Sequence, residues 1–162
     1  MPPWVKPFRS ALVLLLALGL FGGGVGGVSS GMAEEQPLAR VDVVLKTGDR
    51  TTIIDAEIAD TAKTRAKGLM YREDLTKEQG MLFIFASEAP RLFWMKNTPL
   101  SLDILFFDQD GHFVNGHYQT VPFSRKSLRS DKPAQYALEI LAGEAERLGL
   151  TTDTILKLQL NR

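Results

Sequence analysis

The chain has 162 residues, about one domain's worth, with 19 basic and 19 acidic side chains and no cysteine. Lacking cysteine, it has no disulfide framework, no thiol nucleophile and no Cys-ligated metal. The first 33 residues carry only Lys6 and Arg9 as charges, so the rest of the chain holds 17 basic against 19 acidic residues, a balance that argues against nucleic acid as a partner.

Lys6 and Arg9 precede an apolar run, Ala11 to Phe21, and a small-residue stretch, Gly22 to Ala33. Positive, apolar and small in that order is the pattern of a secretory signal peptide. Eleven residues rise only about 16 Å as a helix, short of the ~30 Å hydrocarbon layer. Gly31 and Ala33 fit positions −3 and −1 of a cut before Glu34. The expectation is therefore a signal peptide over 1–33 and a single domain over 34–162, exported to the periplasm or the medium, with no membrane attachment after cleavage. An uncleaved anchor running on to Val28 is the alternative, disfavoured because consecutive glycines make a poor helix.

In the remaining chain, Leu38 to Leu45 alternates, Thr47-Gly48-Asp49 turns, and Thr51 to Ile58 completes a first hairpin. Asp60 or Thr61 caps a short helix through Lys67, closed by Gly68. Met81 to Phe85, Leu92 to Met95 and Leu102 to Phe107 are apolar runs of strand length. Asp110-Gly111 turns the chain into Val114 to Tyr118. Val121 to Pro133 is a long basic loop, Tyr136 to Leu141 a strand, Gly143 to Leu148 a short helix, and Ile155 to Leu160 the last strand. Seven or eight short strands and two short helices, with no βαβ rhythm, predict an α+β fold: a compact, mostly antiparallel barrel or sandwich. Leu82, Phe83, Phe85, Trp94, Ile104 and Leu138 are the candidate core.

Signals for common chemistries are missing. His112 and His117 stand five apart on one predicted strand, on opposite faces, and do not share a metal. Asp108 and Asp110 suit a hairpin turn; a calcium loop through Gly111 would put Phe106 and His117 at ligand positions. No nucleophile elbow and no phosphate loop follows a strand. No metal or cofactor is expected. The unusual stretch is Arg91 to Ile104, where four large apolar groups run into Lys96-Asn97-Thr98 and Asp103 sits within an apolar strand. A buried carboxylate needs hydrogen-bond donors, so Asp103 either belongs to a site or ties a loop in place.

The segments G-L-M-Y-R (Gly68 to Arg72), G-M-L-F-I-F (Gly80 to Phe85), F-W-M-K-N-T (Phe93 to Thr98), S-L-D-I-L-F-F (Ser101 to Phe107) and Y-A-L-E-I-L-A-G (Tyr136 to Gly143) resemble, in order, the domain of unknown function family 192. Arg65 stands at that family's recurring arginine, and the resemblance extends over roughly Val43 to Leu158. It implies a compact, β-rich α+β domain of a kind often exported from bacteria, and no activity.

Three functions remain open. The first is a periplasmic binding or accessory module in which Arg65, Arg72, Lys96, Asn97, Asp103 and Glu139 gather about a polar pocket walled by Phe93 and Trp94. Its partner would be a small polar ligand or a periplasmic protein. The second is a hydrolase with Asp103 or Glu139 as general acid or base and Lys96 as electrostatic stabiliser. The third is a structural or partner-binding domain whose polar residues only tie loops together.

Overall fold

A computed structural model describes residues 37–159; the expected signal segment, its cleavage point and Leu160 lie outside them. The first hairpin forms from β1 (Arg40–Thr47) and β2 (Arg50–Ala59), paired from Arg40↔Glu57 to Thr47↔Arg50. A short helix, α1 (Ala62–Lys67), follows, with the Thr61 hydroxyl accepting the Thr64 N–H in a reciprocal capping box. The chain returns in β3 (Gln79–Ala89), runs through β4 (Leu92–Phe93), β5 (Leu102–Phe107), β6 (Phe113–His117), β7 (Leu128–Arg129) and β8 (Ala134–Leu141), then forms α2 (Glu144–Arg147) and β9 (Ile155–Gln159).

Seven strands make one sheet in the order β6-β5-β8-β3-β2-β1-β9, and β4 pairs with β7 as a separate ribbon. All pairings are antiparallel except β2 with β3, which are parallel with α1 in the crossover. Six residues of helix were too few to mark that crossover in the sequence. The sheet is not a closed barrel: among the described residues its edges touch only where His112 bridges Ile155, with the Leu156 N–H donating to the Gly111 carbonyl at 2.7 Å. The architecture is thus an open, mostly antiparallel α+β sheet of seven strands plus a ribbon.

Both faces of the central strands are covered, which is why β5 and β8 read as continuous apolar runs; every residue of β5 is buried. One face packs Val43, Ile54, Leu82, Leu105, Leu138 and Ile140 against Ala145 and Leu148 of the α2 segment. The other packs Met81, Phe83, Ile104, Phe106 and Ala137 beneath Leu69, Phe93, Met95 and Leu128, from the turn after α1 and from the ribbon. Of the six candidate core residues, Leu82, Phe83, Ile104 and Leu138 are buried. Trp94 is 49 % exposed, because Phe93 and Met95 on either side of it turn inward. Phe85 is half-buried beneath two guanidinium groups, Arg91 at 3.7 Å and Arg65 at 5.1 Å from its ring centre. The expected strand through Met95 stops at Phe93, since the Met95 N–H leaves the ladder for the Ser124 carbonyl at 2.9 Å.

Candidate functional site

Glu139 lies in the middle of β8, flanked across the strands by Met81 on β3 and Ile104 on β5. Paired residues share a face, so its carboxyl points to the side covered by α1 and the ribbon. It is 4 % exposed, and among the described residues no hydrogen bond or ion pair reaches either oxygen. Burial alone pushes this carboxyl up to about 8 from its ordinary 4.5, because the charged form loses its water and gains no compensating charge.

Above Glu139 is a cleft of about 360 Å³ with Arg65, Gly68, Phe83, Phe93 and Trp94 in its lining. Gly68 follows α1 at φ +50°; a Cβ there would stand 3.1 Å from the Phe83 ring and 4.0 Å from Glu139 Oε2. The bare glycine therefore serves both the left-handed backbone and the approach of the turn to the carboxyl. Beneath, Gly80 permits another close approach, since a Cβ would fall 2.5 Å from the Glu139 carbonyl oxygen. Arg65, in the last turn of α1, is fixed at the rim: its Nη1 donates to the Ile84 carbonyl at 2.9 Å and to the Asp60 carbonyl.

The other expected site residues do not converge on this cleft. Asp103 pairs with Ile140, one position along from the Ile104–Glu139 pair, so the strand alternation sends the two carboxyls to opposite faces. Asp103 Oδ1 accepts the Gln119 N–H at 2.8 Å and Oδ2 the Ala145 N–H at 3.0 Å, tying the loop after β6 and the start of α2 to the strand end. Arg72 donates from Nη2 to both oxygens of Glu57 at 2.8 Å, and Glu57 also takes Arg40. Lys96 extends over the Trp94 ring, 5.3 Å from its centre. Asn97, at φ +57°, donates from Nδ2 to the Tyr71 hydroxyl at 2.7 Å and accepts the Tyr71 N–H on its carbonyl at 2.7 Å. The single polar cluster expected from sequence is thus divided. Arg65, Trp94 and Glu139 share the cleft, while Arg72 joins a surface ion pair, Lys96 and Asn97 brace the turns around Trp94 and Tyr71, and Asp103 anchors the far face.

Asp103→Asn keeps one acceptor and turns an amide N–H₂ toward a backbone N–H. The expected loss is about 1–3 kcal/mol of stability, read by urea melts, with the cleft unaffected; an unchanged midpoint would mean that the two backbone bonds carry no stability.

Phe83 and Phe85 line the cleft although sequence marked them only as core. The available signal was Glu139 itself, an acid inside Tyr136 to Leu141 with apolar neighbours on both sides. Asp108, Asp110 and His112 bring three ligand-type atoms within 4.8 Å of one another on the surface. The Asp108 carboxylate there accepts the Asp110 and His112 N–H groups, as the hairpin turn requires. His117 is hydrogen-bonded to the Arg129 carbonyl at 2.8 Å.

A family model described as Uncharacterized ACR, domain of unknown function 192, matches residues 43–158. Among solved structures, the chain is similar to a candidate transcription regulator from Sinorhizobium meliloti 1021, with 38% identity and a TM-score of 0.75, over 77% of this chain and 98% of that one. It is also similar to a protein of unknown function from Novosphingobium aromaticivorans DSM 12444, with 32% identity and a TM-score of 0.73, over 83% of this chain and 99% of that one. No curated protein matches. With the family match running from Val43 to Leu158 across both the sheet and the cleft, the chain belongs to the domain of unknown function 192 family.

Proposed function

We propose that this protein is an exported binding module whose small ligand sits in the cleft over Glu139. The observation that carries this is the Glu139 carboxyl, on a buried residue that lines the cleft, with no hydrogen-bond partner for it among the described residues. Buried polar groups are otherwise almost always hydrogen-bonded, and an apolar cleft with a few placed polar groups is the common form of a small-molecule site. A fragment screen followed by protein-observed NMR tests it: binders are expected to shift Gly68, Phe93, Trp94 and Glu139 together. Binders that perturb only other surfaces would overturn the assignment. Export is supported by the Lys6-to-Ala33 pattern, and mass spectrometry of protein recovered outside the cytoplasm is expected to find a first residue near Glu34. An intact chain beginning at Met1 in the membrane fraction would instead indicate an anchor.

One observation favours an acid–base enzyme as the second reading: a carboxyl raised to about 8 holds a proton to donate near neutral pH. The binding reading ranks first because, among the described residues of the cleft, no second acid or histidine stands beside Glu139 to act as partner base.

A further inference from the structure

We infer that the ligand of this cleft is an organic anion with an apolar body, a small aryl or acyl carboxylate, its acid group between Arg65 and Glu139 and its body against the aromatic wall. The inference rests on the binding reading above and specifies its ligand class.

Charge comes first. Among the described residues of the cleft lining Glu139 is the only acid, and Arg65 stands at its rim. The cross-strand neighbours of Glu139, Met81 and Ile104, are uncharged. A cationic ligand would meet the Arg65 guanidinium, and two of the cleft's four aromatic rings already carry cations of the chain. Phe85 carries Arg65 and Arg91 over its ring, and Trp94 carries Lys96. The places where a ligand cation would stack on these rings are held by the chain's own cations. An anion is drawn in by the Arg65 charge.

The hydrogen-bonding inventory agrees. Arg65 spends only Nη1 on the Asp60 and Ile84 carbonyls; among the described residues nothing accepts from its Nε or Nη2. Those two groups are the edge of the guanidinium that matches a carboxylate, on a side chain already held by its backbone bonds and by Phe85. Glu139, protonated near neutral pH because of its burial, offers an O–H that needs an acceptor. An ionised carboxylate supplies acceptors for both donors, whereas an ammonium supplies none. Phe83, Phe93 and Trp94 then take the remainder of the molecule, and 360 Å³ is at the small end of the usual range for ligand pockets, about 300–1,000 Å³.

The test is calorimetric titration of the protein with phenylacetate and hexanoate, against phenylacetamide and phenethylammonium, at pH 6.5 and pH 9.5. The carboxylates are expected to bind at least tenfold more tightly than the amide or the ammonium at pH 6.5. They are expected to weaken at least tenfold at pH 9.5, where the ionised Glu139 repels them. Glu139→Gln, whose amide donates at every pH, should abolish that pH loss. Arg65→Met should weaken carboxylate binding at least tenfold, and the wild-type pH dependence stands as an independent check should that variant fold poorly. Preference for the ammonium or the amide would overturn this inference while leaving a binding cleft. No heat of binding with any of the four probes would overturn the inference, and the binding assignment would then fall only if the fragment screen also found no binder at Gly68, Phe93, Trp94 and Glu139.

Discussion

Glu139→Gln is expected to gain stability over the wild type as pH rises, by on the order of 5 kcal/mol between pH 4 and pH 9, from a shift of 1.36 kcal/mol per pKa unit. In the folded protein the carboxyl titrates at about 8, and in the unfolded chain near its ordinary 4.5. Between those values the folded state holds a proton that the unfolded state has released. Stability therefore falls with rising pH across this window. The contribution of the protonated form is complete below 4.5 and lost once pH has passed 8; outside the window this group adds no slope. Gln cannot ionise, so the variant lacks the loss, and comparing the two proteins cancels the other titrating groups. Urea denaturation at intervals from pH 4 to 9 measures it. Parallel stability profiles for the two proteins would show that Glu139 is not a desolvated carboxyl in solution.

Phe83→Ala is expected to cost about 3–5 kcal/mol, the range for deleting an enclosed aromatic side chain and a large share of a typical 5–15 kcal/mol stability. Phe83 is 2 % exposed and meets Phe93 edge-to-face at 4.9 Å between ring centres. Phe93 repeats that geometry with Phe106 at 5.4 Å. Truncating Phe83 thus removes the support on which the ribbon's own aromatic residue rests. Trp94→Ala, one residue beyond Phe93, is expected to cost less than about 1 kcal/mol, because half of its surface is already in water. Its loss should show instead as weaker binding in the cleft. Denaturant melts of the two variants side by side decide the point, and equal losses would contradict the inward and outward assignment of this segment.

Much of the secondary structure was legible because it is local. Thr61, Gly68 and the first hairpin carry their own turn and cap chemistry, and the helix between them ends where Gly68 says it should. The short elements were harder. β4 and β7 contain two residues each, and their ladder of Leu92 with Arg129 and Phe93 with Leu128 joins segments too far apart in the chain for any local pattern to show. The parallel β2–β3 pairing was hidden for the same reason.

By itself the sequence determined the class of fold, the family, and the presence of two acids inside apolar strands, because composition, periodicity and turn residues act over a few neighbouring positions. Only the tertiary structure distinguished those acids. Asp103 and Glu139 look alike in the chain, but the register of β5 on β8 puts them on opposite faces of the sheet. Asp103 meets two backbone N–H groups, 16 and 42 residues away, while Glu139 meets an apolar wall and a cleft. Whether a buried charge is satisfied depends on groups brought to it by the packing of distant segments, and no local stretch of sequence contains that information.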